Sequence, residues 1–69
     1  MKFEDLPVTF DALCLLKKPR RIENNRDYMN VLKISNVMAG HESDFTKDQE
    51  DFFDLLCLLI EYYEEHDKH

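Results

Sequence analysis

Apolar side chains recur along this chain at helical spacings in three segments, which polar connectors separate. The first segment, "FDALCLL", follows Thr9, whose hydroxyl is a suitable N-cap. It is followed by "KKP", and the residue before a proline avoids the helical region of backbone conformation. The pattern therefore predicts a short helix over about residues 10–16, ended by Lys17, Lys18 and Pro19.

The second segment predicts an amphipathic helix that begins after Asn24 or Asn25, both good N-caps. Apolar positions spaced by three, four and seven residues define its buried side, and Ser35 shares that side. These positions are Tyr28, Val31, Leu32, Met38 and Ala39. Polar residues occupy the other side, namely Arg26, Asn30, Lys33 and Asn36. Gly40 is a natural left-handed stop at the C-terminus of this helix.

The third segment predicts a long helix over about residues 47–66, after the short link "HESDF". Thr46 and Gln49 have the spacing of a capping box, in which each side chain binds the backbone amide of the other. On a helical wheel the core face collects the apolar and aromatic residues Phe52, Phe53, Leu56, Leu59, Ile60 and Tyr63.

These three segments predict an all-α fold, a small three-helix domain spanning residues 9–66 after an irregular lead-in over residues 1–8. The chain has one Gly and two Pro, too few turn residues for a protein made of many strands. With 69 residues it has room for one modest core, and such small domains often gain stability from a partner.

Part of the third helix carries more apolar residues than its core face needs. Leu58 falls in the middle of an acidic side formed by Asp51, Asp54, Glu61 and Glu65. Tyr62 lies at the edge of that side, and Leu55 lies between Tyr62 and the core face. In one interpretation the other helices wrap around more than one side of the third helix and bury most of it, and a single exposed Leu is normal on a protein surface. In the other interpretation a partner protein covers this strip. The candidate partner-binding residues are Asp54, Leu55, Leu58, Glu61, Tyr62 and Glu65.

Charge narrows the class of partner. The formal net charge is -6 and the isoelectric point is about 4.8, so phosphate backbones are repelled and basic proteins are attracted. One connector is basic, with Lys17, Lys18, Arg20 and Arg21. It forms either a solvated loop or a contact with nucleic acid, with an acidic partner or with the acidic helix of a second subunit.

Catalytic and metal-binding motifs are not evident in the sequence. The carboxylates lie on a solvated helix face, and neither a catalytic triad nor a glycine-rich phosphate loop is present, so we predict no enzyme and no cofactor. His66 and His69, with Glu65 and Asp67, lie at a helix end that frays, and we predict no metal site there. His41 is predicted to be a surface residue.

Cysteine usage and hydropathy predict the compartment. Cys14 and Cys57 lie in apolar runs, which suits buried thiols in a reducing compartment rather than a disulfide. The N-terminus lacks the apolar region of a signal peptide, and the longest apolar run is far too short for a membrane span. We therefore expect a cytoplasmic protein without membrane contact.

The stretch "PRRIENNRDYMNVLKISNVMAG", followed by a short link and "DFFDLLCLLIEYYEEH", resembles the N-terminal region of HigA-type antitoxins. The family reads Pro-Arg-x-Ile, a polar cap, a Tyr, a helix ending in Leu-Met, an acidic linker and Asp-Leu-Leu-x-x-Leu-Ile-x-x-Tyr-Glu. The matching positions are Pro19, Arg20, Ile22, Tyr28, Met38, Asp54, Leu55, Leu56, Leu59, Ile60, Tyr63 and Glu64. The resemblance covers about residues 10–66.

The resemblance implies an antitoxin that neutralises a basic, ribosome-dependent mRNA endonuclease toxin of the RelE/HigB type. It also implies a homodimer whose full-length form represses its own operon through a C-terminal helix-turn-helix domain. Residues 67–69 fall where the linker to that domain begins in the family, so we expect this sequence to be either an N-terminal fragment or a member that lacks the DNA-binding domain. The alternative function is a dimerisation module of a helix-turn-helix transcriptional regulator that has no toxin partner.

Overall fold

A computed structural model describes residues 2–66, and its architecture is all-α, as predicted. Helix α1 spans Phe10–Leu16, α2 spans Asn25–Met38 and α3 spans Lys47–His66. Single 3-10 turns at Phe3–Asp5 and Glu42–Asp44 lie in the lead-in and in the link before α3. The predicted linker at residues 67–69 lies outside the described residues.

The helix starts have the predicted caps. Thr9 Oγ1 accepts from the Ala12 amide at 3.4 Å, and Asn24 Oδ1 accepts from the Asp27 amide at 2.8 Å. These caps satisfy donors that the first turn of a helix leaves without intrahelical partners.

At α3 the capping box is complete. The Gln49 amide donates to Thr46 Oγ1 at 3.1 Å, and the Thr46 amide donates to Gln49 Oε1 at 2.9 Å. After α2, Gly40 takes φ +88°, a left-handed conformation that residues with a Cβ rarely adopt.

Helix α3 is the axis of the fold, and α1 and α2 both pack against it. Its 20 residues extend about 30 Å, nearly the 34 Å length of the molecule. The core comprises the side chains of Leu6, Leu13, Ile22, Tyr28, Val31, Met38, Phe52, Leu56 and Tyr63. Of the six predicted core positions on α3, Phe53, Leu59 and Ile60 are half-buried.

Two details of the predicted core differ. Ala39 is exposed, because α2 ends at Met38 and the chain turns away at this residue. Gln49, a polar residue, is only 3% exposed. Its side chain is buried at low cost because both of its polar atoms have hydrogen-bond partners.

The lead-in is more ordered than predicted. Leu6 belongs to the core, and the ring of Phe3 stacks on His41 at 4.5 Å and on Phe45 at 5.8 Å. The prediction that His41 is a simple surface residue is therefore wrong, since the ring is half-buried against Phe3. Aromatic stacking holds the lead-in against the link that precedes α3.

Three hydrogen bonds join the lead-in and α1 to the beginning of α3. Gln49 Nε2 donates to the Pro7 carbonyl at 3.0 Å, and Thr46 Oγ1 donates to the Val8 carbonyl at 2.8 Å. The Phe10 amide donates to Asp48 Oδ2 at 3.0 Å, so a carboxylate of α3 satisfies a free donor of α1. The first turn of α3 thus fixes where α1 lies.

Candidate protein-interaction site

The surplus apolar strip of α3 is open in this structure. Leu58 is 63% exposed and Tyr62 is 44% exposed, so the interpretation in which the other helices bury both residues is wrong. Leu55 is half-buried, as the wheel position between strip and core suggests. The physical reason is that α1 and α2 pack on the opposite side of α3, around Phe52, Leu56 and Tyr63.

A shallow depression of about 350 Å³ lies at the C-terminal half of α3. Its lining residues are Arg21, Leu58, Leu59 and Tyr62, and we call this surface the strip groove. Leu59 lines this groove and also packs against the core. The groove is open to solvent, and three of its four lining side chains offer apolar contact.

Arg21 is held over the ring of Tyr62, with the guanidinium carbon 5.4 Å from the ring centroid. A guanidinium at this distance is attracted to the negative face of the ring. Tyr62 also lies against His66, with ring centroids 4.3 Å apart. Two neighbours thus contact the tyrosine ring and restrict its side-chain freedom in the free chain.

The predicted acidic rim is exposed, with Asp54, Glu61 and Glu65 at the surface. Partial burial raises the pKa of the Cys57 thiol, and the nearby carboxylates of Asp54 and Glu61 raise this pKa further. Cys57 is itself an exposed residue, so the prediction of two buried thiols is wrong for it. The reason is its wheel position, which faces the acids rather than the core. Neither cysteine is in a disulfide.

The basic connector is more engaged within the chain than a solvated loop. Lys17 forms an ion pair with Asp27 of α2, and both side chains are largely buried. Arg21 stacks on Tyr62 of α3. Lys18 and Arg20 are exposed. Within the chain, Arg21 of this connector thus contacts the acidic helix, whereas the contact with the acidic helix of a second subunit stays a prediction.

The structure brings together part of the predicted site. Leu58 and Tyr62 line the strip groove, Leu55 lies beside it without lining it, and the acids form its surroundings. The sequence reading missed Arg21 and Leu59 as members. The sequence pattern places Arg21 in the basic connector and Leu59 on the core face. No local signal relates residue 21 to residue 62.

Within residues 2–66 the structure contains neither a group of metal ligands nor a membrane-spanning helix. Within this range no three His, Cys, Asp or Glu side chains are grouped so that they could hold a metal ion. Asp67 and His69, at the helix end where we predict no metal site, lie outside the described residues. No helix within the range is both long and apolar enough to cross a membrane.

Comparisons with protein-family models, with curated proteins and with solved structures found no match to this chain. The resemblance to HigA-type antitoxins therefore stands on the sequence motifs alone.

Proposed function

We propose that this chain is the toxin-binding part of a HigA-like antitoxin and that the strip groove of α3 binds a basic mRNA endonuclease toxin. The observation that carries the proposal is the exposure of Leu58 and Tyr62 on an otherwise acidic helix. The motif resemblance supplies the class of toxin, and the site supplies the chemistry of recognition.

Leu58 and Tyr62 have the properties of binding anchors. Binding energy in protein interfaces concentrates in a few apolar and aromatic side chains that a partner desolvates, and Tyr is among the most frequent of them. Tyr62 contacts both Arg21 and His66, and these contacts restrict its side chain in the free chain. Less side-chain entropy is therefore lost when a partner covers it.

Charge around these anchors favours a basic partner. Helix α3 carries seven acids, at Asp48, Glu50, Asp51, Asp54, Glu61, Glu64 and Glu65, and one lysine, Lys47. Complementary charge accelerates association and excludes partners of like charge. The acidic rim therefore selects for a basic surface, while the strip groove provides the affinity.

The test is a titration of the purified chain with the purified basic endonuclease encoded beside its gene. We expect Leu58→Glu and Tyr62→Ala each to weaken binding at least about tenfold, because each removes an anchor. We also expect the affinity to fall as the salt concentration rises, because salt screens the acidic rim.

Val8→Glu is the matched control. Val8 is 59% exposed and lines no part of the strip groove, so the same change from an apolar residue to an acid should leave binding unchanged. Absence of binding by the wild-type chain would refute the proposed function. Wild-type binding that Leu58→Glu and Tyr62→Ala leave intact would instead assign the toxin to another face.

A further inference from the structure

A second apolar depression of about 300 Å³ lies where the end of α1 meets α2. Its lining residues are Leu16, Lys17, Asn30, Lys33, Ile34 and Val37, and we call this surface the basic groove. The sequence reading did not find it, because Ile34 and Val37 lie off the core face of α2 and Leu16 comes from another helix. Leu16 is 38% exposed at the edge of this groove.

The border of the basic groove and the acidic rim around the strip groove have opposite charge. Arg21 lines the strip groove, and five of the other eight Lys and Arg residues fall between residues 17 and 33, namely Lys17, Lys18, Arg20, Arg26 and Lys33. The same range contains two acids, Glu23 and Asp27. Lys33 is exposed at the groove, whereas α3 carries seven acids and one lysine. One surface is thus apolar with a basic border, and the other is apolar with an acidic border.

We propose that the basic groove binds the α3 strip of a second copy of this chain, with Leu58 and Tyr62 as the inserted side chains. The chain itself carries the surface whose charge and apolar character complement this groove. The contact is heterologous, since the groove of one copy meets a different surface of the next copy.

Charge excludes the symmetric alternative. Two α3 strips facing each other would bring the rims of Asp54, Glu61 and Glu65 together, and like charges at an interface oppose association. Arg21 provides one positive charge at the strip groove, but it already stacks on Tyr62 of its own chain. A strip placed in the basic groove brings its acids close to Lys33 instead. This contact between opposite charges favours association.

A regulatory consequence follows. The proposed self-contact and the proposed toxin contact both cover Leu58 and Tyr62, so a copy whose strip lies in a neighbour's groove cannot offer that strip to a toxin. Binding of a basic partner should then dissociate the self-associated chain by mass action. The self-contact requires no toxin and is tested without one.

The experiment is sedimentation of the purified chain over a concentration series. We expect the wild-type chain to self-associate and Lys33→Glu and Leu58→Glu each to weaken association at least about tenfold. An equimolar mixture of the two variants should form a dimer and no larger species. One variant then supplies an intact strip, the other an intact groove, and only one contact can form.

Val8→Glu is again the control, since Val8 lines neither groove and its variant should associate like the wild type. Circular dichroism verifies that each variant is folded, which is expected because Lys33 and Leu58 are exposed. A wild-type chain that stays monomeric overturns the proposal.

Two further results would also overturn it. Loss of association in Leu58→Glu but not in Lys33→Glu would indicate a symmetric contact between strips. Variants that fail to associate when mixed would exclude a heterologous contact. The toxin titration is independent of these outcomes, so failure of the self-contact and failure of the proposed function are distinguishable.

Discussion

The two halves of α3, residues 47–56 and 57–66, both carry apolar residues but are differently covered. In the N-terminal half, Phe52 packs edge-on against Phe10 at 5.9 Å, and Phe53 packs against Phe45 at 5.4 Å. In the C-terminal half, Tyr63 packs against Tyr28 at 4.8 Å, but Leu58 and Tyr62 remain exposed. The aromatic residues of the first half thus pack against both α1 and the link, whereas Tyr63 of the second half packs against α2.

The difference teaches that the exposed strip follows from where the other elements end. The lead-in, α1 and the link contact the beginning of α3, whereas Tyr28 of α2 and Arg21 contact its C-terminal half. An apolar residue placed beyond the reach of the fold contributes little to stability. Under the proposed function it contributes to binding instead, so mutations in the covered half should lower stability and mutations in the exposed strip should lower binding.

The largest expected effect is the difference in the free energy of unfolding between an alanine variant at Phe52 and one at Leu58. Phe52→Ala should lower the free energy of unfolding by about 3–5 kcal/mol, because it leaves a cavity in the core. A domain of this size is stabilised by only about 3–10 kcal/mol, so we expect the variant to lose most of its cooperative transition. Leu58→Ala should change the free energy of unfolding by less than about 0.5 kcal/mol. Urea unfolding followed by circular dichroism measures both, and similar losses would remove the distinction between the halves.

The next effect concerns the polar attachment of the first half. Gln49→Ala removes a capping-box acceptor and the donor to the Pro7 carbonyl, so the free energy of unfolding should fall by about 1–3 kcal/mol. Glu50→Ala, at the exposed neighbouring position, is the control and should have little effect. Equal stabilities of the two variants would show that the lead-in does not depend on this side chain.

A pH-dependent effect should distinguish the second half. The Tyr28 hydroxyl donates to the Glu64 carboxylate, and this hydrogen bond raises the pKa of Tyr28 above its usual value of 10.0. Because the folded state binds this proton more tightly, the contribution is complete below about pH 10 and is lost as the pH rises above it. The melting temperature of the wild type should therefore fall more steeply above pH 10 than that of Tyr28→Phe. Parallel curves would exclude this contribution, and Lys47, whose pKa is also raised, affects both proteins alike.

The smallest expected effect concerns the reactivity of Cys57, which is exposed on the C-terminal half of α3. With Cys14→Ala as background, Cys57 is the single thiol and its rate of reaction with a disulfide reagent can be followed at pH 8. Glu61→Gln should increase this rate by roughly twofold, because it removes one of the charges that raise the pKa of Cys57. Asp11→Asn, on α1, is the matched control. An unchanged rate in Glu61→Gln would contradict the flanking of Cys57 by Glu61.

Most of the helix boundaries could be predicted because their signals are local. Thr9, Asn24, the Thr46–Gln49 box and Gly40 each act within about four residues, and the structure confirms each of them. The wheel also separated the fully buried Phe52, Leu56 and Tyr63 from Leu58. Local chemistry and periodicity carry this part of the fold.

What the sequence could not predict involves partners far apart in the chain. The contact of Arg21 with Tyr62 and the basic groove between α1 and α2 depend on the relative placement of helices. Periodicity gives the direction in which a side chain points, but not whether another element reaches it. For the same reason the sequence does not show whether the other helices cover Leu58 and Tyr62.

The hydrogen bond from the Phe10 amide to Asp48 has a consequence for the order of assembly. A helix of seven residues is too short to persist alone, so α1 forms only once the first turn of α3 is in place to receive it. We expect residues 2–16 to open and close as one unit while α2 and α3 stay paired, with faster amide exchange in α1 than in the core of α3. Each opening takes Leu16 away from Ile34 and Val37 and so removes one wall of the basic groove.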